Sequence, residues 1–505
     1  MRLNSKVTNG NTSMINKSIF WGLTAFIALP VLTACGISSQ GVTLPIQPFY
    51  TLQLNRQNVG INERVPVTLF VNNPGNHELE YRFIAERGQV LAQNPLSPAA
   101  EYIAPFTGGE DRIRVTVYDR TDNVNLPQQQ VPLLVLGDGM AYVEAPAPGT
   151  DLGEYDNGVI KVVGIQGAGT GTQPRQVAIG RQPVISPDGR YIAYTYYPGD
   201  GTSQVRMQDS LGNVQILTGS GGSFNRDPSW APIGNDLNLH LVFSSDRLSN
   251  RTGQSVEEQR GEEFNIWRVS ALGQNLQQLA STPGSDFEPA WSPDGRAVIY
   301  RSNFSQNKVQ NFNNLWRMDL STGRLLQLTY ETVPDKGAYE PEFSPDGLRV
   351  VYSRKYLSRQ PQQIFDFKKI WMVDLNTIDL PSLVAFLPTQ PGTTVPSTGL
   401  GPVPGPQPLT PDTGGVGNRE GNFGNVATQE FDEGTVESSP SFSVDGRWIT
   451  YVRKQGDDIR TVSIPGNPGQ MGTIGFEPLN VLPAGSGRAI EVSWARQRNS
   501  FNNRF

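Results

Sequence analysis

One short phrase constrains this chain more than any other feature. It reads Pro, any residue, an aromatic, Ser-Pro-Asp-Gly, then an apolar run that ends in Tyr. Pro289-Ala290-Trp291-Ser292-Pro293-Asp294-Gly295 runs on to Tyr300, and Pro341-Glu342-Phe343-Ser344-Pro345-Asp346-Gly347 runs on to Tyr352. A third copy runs from Pro183 to Tyr194, with Ile185 in the aromatic place, and a fourth from Pro440 to Tyr451, with Val444 for the second Pro. Pro228-Ser229-Trp230-Ala231-Pro232 opens a degraded fifth, and Val492-Ser493-Trp494-Ala495 a sixth that stops almost at once. A phrase that returns at roughly 50-residue intervals marks a repeat architecture.

Each repeat reads as four strands. The first carries Pro-x-aromatic-Ser. Pro-Asp-Gly then makes a tight turn, because Pro fixes φ and Gly accepts a positive φ. The second strand ends at Tyr. A third carries Ile266-Trp267-Arg268-Val269, Leu315-Trp316-Arg317-Met318 or Ile370-Trp371-Met372-Val373, and a fourth ends in Leu217-Thr218, Leu279-Ala280 or Leu328-Thr329. Four antiparallel strands per repeat make a propeller blade. Residues 159–163 and 176–179 read as a third and fourth strand, and residues 491–495 as a first strand, so the two chain ends share one blade and leave no open edge. The expected total is six blades. Pro341 and Pro440 stand nearly two repeats apart, but the surplus holds nine Pro and nine Gly between residues 381 and 424. That tract reads as an insertion, about 378–428, and a seventh blade would have to come from it. Leu409-Thr410 is its candidate fourth-strand remnant.

The repeated Pro-x-Trp-Ser-Pro-Asp-Gly, followed by Ile-Trp and Leu-Thr strands, resembles the TolB-like β-propeller family over about residues 155–495. The resemblance implies a six-bladed propeller and a role in the bacterial cell envelope. In TolB itself a small α/β domain precedes the propeller, whereas this chain carries a different leader.

That leader has two parts. Lys17, an apolar stretch over residues 19–31, and Leu32-Thr33-Ala34-Cys35 resemble a bacterial lipoprotein signal. The resemblance implies a signal peptide over 1–34, a lipid on Cys35 and a tether over 35–48. Cys35 is the only cysteine, so the chain beyond it has no disulfide, no cysteine metal site and no cysteine nucleophile. Period-two runs follow in residues 49–54, 65–71, 79–83 and 112–117, separated by turn clusters such as Asn72-Asn73-Pro74-Gly75. They predict a β-sandwich over 49–137, which resembles the Ig-like modules of bacterial surface proteins. The Pro-rich stretch within 138–153 reads as a linker to a propeller at 154–495, with a tail at 496–505. The expected class is all-β: an N-terminal Ig-like sandwich followed by a six-bladed TolB-like propeller.

The chemistry is sparse. Two His, His77 and His240, cannot build a histidine cluster. Gly167-Ala168-Gly169-Thr170-Gly171 lacks the third Gly of a nucleotide loop and opens no helix, so it reads as a hairpin. The informative column is the residue just before each motif Pro: Gln182, Asp227, Glu288, Glu340, Ser439 and Glu491. It begins the innermost strand, so its side chains should ring one mouth of the central channel. Arg247, Arg301, Arg354 and Arg453 follow the second strands and open to the same face. Two readings stand: the arginines pair with the carboxylates, or an acidic mouth holds a cation or a basic segment. Close carboxylates need neutralising, and oxygen-only coordination would suit Ca2+. Residues 248–263, 304–313 and 356–367 form the longest loops on that face, where binding is expected.

These readings point to a non-enzymatic, lipid-anchored, monomeric envelope protein whose propeller binds a protein or peptide. It would lie on the periplasmic face of the outer membrane in a Gram-negative source. The alternatives are a propeller hydrolase or lactonase with a metal at the mouth, and a cell-wall carbohydrate binder. A net charge of −6 gives nucleic acid no basic face to bind.

Overall fold

The computed structural model describes residues 47–147, 152–153, 155–167, 170–219, 222–233, 238–247, 260–280, 282, 284–304, 313–331, 337–360, 363–375, 407–408, 435–455, 458–465, 479–483 and 487–495. The expected lipid site Cys35, most of the Pro/Gly-rich tract and the 496–505 tail lie outside them. All described regular structure is β-strand apart from isolated turns. No described helix is long and apolar enough to cross a membrane.

Residues 49–136 form two sheets. One runs Phe49–Leu54, Arg64–Asn72, Ala99–Ile103, Gln89–Ala92 in spatial order. The other runs Asn58–Gly60, Gln129–Leu136, Gly109–Asp119, Leu79–Ala85, with Val124–Asn125 paired to Gly109–Asp119. The alternation seen in sequence is the alternation of burial: Val65, Val67 and Leu69 are buried while Pro66, Thr68 and Phe70 face out. Inward residues of both sheets, including Tyr50, Tyr102, Ile113 and Val115, form one core. That core continues into the propeller through Val143, Ile160, Ile185 and Tyr194.

Six four-stranded blades follow. Blade 1 takes the second half of Arg175–Ile185, then Tyr191–Tyr196, Gln204–Asp209 and Val214–Ile216. Blade 2 is Asn225–Trp230, His240–Arg247, Arg260–Ser270 and Gln277–Ala280. Blade 3 is Asp286–Trp291, Ala297–Ser302, Asn314–Asp319 and Leu325–Gln327. Blade 4 is Gly337–Phe343, Arg349–Gln360, Gln363–Asp374 and Gln407–Pro408. Blade 5 is Thr435–Phe442, Trp448–Gln455, Asp458–Pro465 and Leu479–Asn480. The fourth strand of blade 4 therefore lies inside the Pro/Gly-rich tract, pairing Pro408 with Trp371, just before the expected Leu409-Thr410.

The sixth blade closes the ring and corrects one expectation. Its first strand is Ala489–Trp494, as read. Its second is Asp138–Glu144, a stretch the sequence reading assigned to a linker. Met140, Ala141, Tyr142 and Val143 are fully buried, and Met140 sits opposite Trp494. Gly158–Gly167 and the first half of Arg175–Ile185 complete the blade. Trp494 fixes it to blade 5, its indole N–H donating to Thr450 Oγ1 at 2.9 Å and its amide to Ser441 Oγ at 3.0 Å. Ile165 pairs with Gly171 and Gly167 with Thr170, the antiparallel pairing that the expected hairpin requires.

The Ser-Pro-Asp-Gly segments join first to second strands. In blade 3 the Ser292 hydroxyl donates to Asp294 Oδ1 (2.6 Å) and accepts from the Ala297 amide (2.9 Å), and Asp294 accepts from the Arg296 amide (3.0 Å). Ser186 with Asp188 and Ser443 with Asp445 do the same. The last residue of each turn needs φ near +70°, which Gly189, Gly295, Gly347 and Gly446 supply. All these turns lie on one face, with the turns between third and fourth strands. The sandwich sits against that face at blade 1. The Phe106 amide donates to Gly189 O (2.7 Å), the Arg190 guanidinium to Glu86 O (2.6 Å), and the Ser210 hydroxyl to Gln89 Oε1 (2.7 Å).

Candidate functional site

At the other end of each innermost strand the register slips. In blade 2, Arg226 pairs with Ser244 and Ser229 with Val242, so Asp227 and Pro228 together face Phe243. The same two-against-one bulge sets Gln182-Pro183 against Tyr194, Glu288-Pro289 against Tyr300, Glu340-Pro341 against Tyr352 and Ser439-Pro440 against Tyr451. Pro fits because a bulged residue gives no ladder hydrogen bond. The buried Tyr or Phe that ends each phrase fills the space across from it. The residue before Pro takes the strain. Gln182, Asp227, Glu288, Glu340 and Ser439 all have φ between 51° and 58°. A left-handed non-glycine residue costs about 1 kcal/mol or more, so five in one ring require compensation.

The compensation is a relay around the channel. The Glu491 carboxylate accepts the Gln182 amide at 2.5 Å. The Gln182 side-chain oxygen accepts the Asp227 amide (3.3 Å), and Asp227 accepts the Glu288 amide (3.3 Å). Glu288 accepts the Glu340 amide (2.7 Å), and Glu340 accepts the Ser439 amide (2.8 Å). Each side chain thus caps the strained backbone of the next blade. A hydroxyl on the second strand supports several of them: Thr195 donates to Gln182, Ser244 to Asp227 and Ser353 to Glu340. All six residues line one cavity of about 200 Å³ in the channel, with Pro183, Trp230 and Trp494 among its walls.

The cations only partly follow expectation. Arg301 pairs with Glu288 at 3.1 Å, as the pairing reading requires. Arg247 instead donates to Thr218 O (2.6 Å), and Arg354 pairs with Glu331 at 2.5 Å and stacks on Trp371. Arg453 stands opposite Glu437 in the strand register. The carboxylates find other partners: Glu491 takes Arg181 (2.6 Å), Glu340 takes Lys368 (3.3 Å) and Asp227 has Arg226 at 3.6 Å. Burial pushes the Glu340 carboxyl up, but the Lys368 charge and the bonds from Ser353 and the Ser439 amide outweigh it and hold it below the usual carboxylate range. So every acidic member of the ring has a protein cation beside it. Among the described residues, the three carboxylate or imidazole groups close enough to share a metal are His77, Asp119 and Asp122, in the sandwich. There His77 bonds Asp119 at 2.6 Å, while Asp119 also accepts the Thr121 amide of its own turn (2.9 Å).

The cations also stack. Arg226 lies 5.1 Å from the Phe264 ring and 4.9 Å from Phe287. Arg301 lies 4.3 Å from Phe287 and 4.9 Å from Tyr339, and Lys368 lies 4.9 Å from Tyr339. Phe264, Arg226, Phe287, Arg301, Tyr339 and Lys368 therefore make one alternating ladder along three blades of the mouth. Sequence reading missed it, although Arg226, Phe287 and Tyr339 form a readable column one place before the acidic residues. Of the expected binding loops, residues 248–259 and 305–312 lie outside the described residues. Residues 356–367 are not a loop: the strands run on to Gln360 and restart at Gln363 as one long hairpin. His240 sits at the turn-face end of its strand, beside the bond from the Ala231 amide to its own carbonyl (2.8 Å) and remote from the mouth.

Comparison with known proteins bears on the propeller. Residues 170–375 match the family model of the TolB beta propeller domain. A "Protein TolB homolog" from Chlorobium chlorochromatii (strain CaD3) is 36% identical over 131 residues, 26% of this chain and 25% of its own length. An "Uncharacterized peptidase YuxL" from Bacillus subtilis (strain 168) is 25% identical over 213 residues, 34% of this chain and 29% of its own length. The chain thus spans less than a third of either curated relative. Among solved structures, TolB from Acinetobacter baumannii aligns over 82% of this chain and 83% of its own, at 17% identity and TM-score 0.44.

Proposed function

Starting from a chain that carries a TolB-like β-propeller domain, we propose that it is a lipid-anchored cell-envelope protein whose channel mouth docks a segment of a partner protein. One observation carries this reading. The turn face is covered at blade 1 by the sandwich, and the channel cavity of about 200 Å³ reaches the opposite mouth at the ring. Its rim is the half-buried ladder of arginine, lysine and aromatic rings. Arg and aromatic side chains supply most of the energy at protein interfaces. The left-handed bulges point the same way, since backbone strain held by a surrounding network gathers at binding sites.

The ion pairing refines the partner. Ring carboxylates that already have cations are poor partners for a strongly basic segment, so the partner segment carries mixed polar and apolar groups. The test is a photo-crosslinking residue placed at Ser439, on the mouth, and in a second protein at Asp294, on the turn face. Crosslinks to an envelope protein from Ser439 and none from Asp294 are expected. Equal crosslinking from both sites, or none from Ser439, overturns the proposal.

A further inference from the structure

We propose that the end of the sandwich remote from the propeller rests on a lipid surface. The strand directions define that end. Glu86, Gln89 and Phe106, which meet blade 1, lie at one end of their strands. The start of Phe49–Leu54, the close of Arg64–Asn72, the loop before Ala99–Ile103 and the close of Gly109–Asp119 lie at the other, as the pairs Phe49 with Asn72, Thr68 with Ala99 and Leu79 with Asp119 require.

This remote end exposes large apolar side chains. Phe49 is 57% exposed, Phe70 61%, Leu96 54% and Val124 40%. Phe49 and Phe70 are diagonal neighbours on the outer face of one sheet, because Thr51 is the residue opposite Phe70. The charged groups nearby are Arg120, beside Glu78 (3.1 Å) and Glu80 (3.9 Å), and Asp119 and Asp122, both beside the His77 ring (2.6 and 3.6 Å). Two adjacent exposed Phe suit the boundary between headgroups and acyl chains.

The chain itself says which surface is within reach. Gln47, at the start of the described residues, enters the sandwich at this same end. Cys35 precedes Phe49 by 14 residues, a reach of at most about 50 Å when fully extended. This inference rests on the reading of Cys35 as lipidated, which would hold the start of the chain at a bilayer surface. The Phe49–Phe70 patch is a second contact, one that sets orientation and turns the mouth away from the bilayer.

The experiment uses the full chain with Phe70→Cys, made in a lipidating bacterial host so that lipid blocks the Cys35 thiol. The new thiol carries an environment-sensitive fluorophore. The protein is reconstituted in phosphatidylethanolamine–phosphatidylglycerol vesicles containing a nitroxide lipid. Val124→Cys is a second tip site, and Tyr330→Cys, 57% exposed, is the control on the mouth side. Quenching by the nitroxide lipid about twofold or more at positions 70 and 124, and none at 330, is expected. If the protein floats with the vesicles but position 70 is quenched no more than 330, anchoring stands and tip docking is overturned. Shielding at position 70 without lipid quenching means a protein covers the tip and also overturns it. Failure to float with the vesicles overturns both readings.

Discussion

On the turn face, Ser292 gives its hydroxyl to Asp294, two residues along. On the mouth face of the same blade, Glu288 accepts the amide of Glu340, 52 residues along. Both bonds recur around the ring, and they have opposite consequences. The turn residues satisfy one another inside a hairpin, so the four full copies keep the same Ser and Asp and owe nothing to their neighbours. The mouth residues satisfy the backbone of the next blade. They need only an acceptor of the right reach, so Gln182, Asp227, Glu288, Glu340 and Glu491 all serve. An invariant phrase therefore marks local bonding, and a chemically loose column marks the bonds that hold blades together.

Four measurements can break or sharpen this contrast. The largest effect belongs to the seam: Trp494→Ala removes a buried indole and its bond to Thr450, and should cost about 3–5 kcal/mol in urea unfolding. Next, Glu340→Ala strips the partner from Lys368, Ser353 and the Ser439 amide. Losing one member of such a network should cost about 3 kcal/mol, and a loss no larger than for a turn serine would mean that the relay does not join blades.

The third measurement is the pH profile. Glu340 lies below its usual range, so its contribution is present above the unfolded carboxylate value of about 4.3 and is lost as pH falls through its lower folded value. Burial pushes Lys368 down, but the Glu340 and Glu288 charges outweigh it and raise it. Its contribution is therefore present below about 10.4 and is lost as pH rises through its higher folded value. The thermal midpoint should be flat between these limits and fall on both sides, and Glu340→Gln should flatten the acid limb. An unchanged acid limb in that variant would assign acid sensitivity to other carboxylates. Smallest is Ser292→Ala, which loses one local bond to Asp294 and an acceptor for the Ala297 amide. About 1 kcal/mol is expected, with crosslinking from Ser439 unaltered.

The same contrast explains what could be read in advance. The phrase showed the blades because it is written out in each one. The strand Asp138–Glu144 reads as a linker because the phrase spans first and second strands, and in the closing blade those strands come from opposite chain ends. No tight turn joins them, so no Ser-Pro-Asp-Gly announces the second. The acidic column was legible from its fixed place before Pro, but its partners were not. Arg301 stands 13 residues after Glu288 and Ser353 stands 13 after Glu340, whereas Arg354 is one further on. One step along a strand reverses the face, which carries Arg354 to Glu331 and away from the mouth. Lys368 and Arg181 reach the ring from other strands, a proximity that spacing within the phrase does not encode.

The closing blade also sets a timetable. Its middle strand is made early, yet that strand's inner neighbour is Ala489–Trp494, and Met140 waits for a partner 354 residues away. Until then the sheet has a bare edge that other chains can join, and loop-closure entropy opposes its capture. Pairing across so long a separation is intrinsically slow. A chain cut short before residue 489 would keep the sandwich and the early blades but lack its latch, and its exposed edge would mark it for degradation or aggregation.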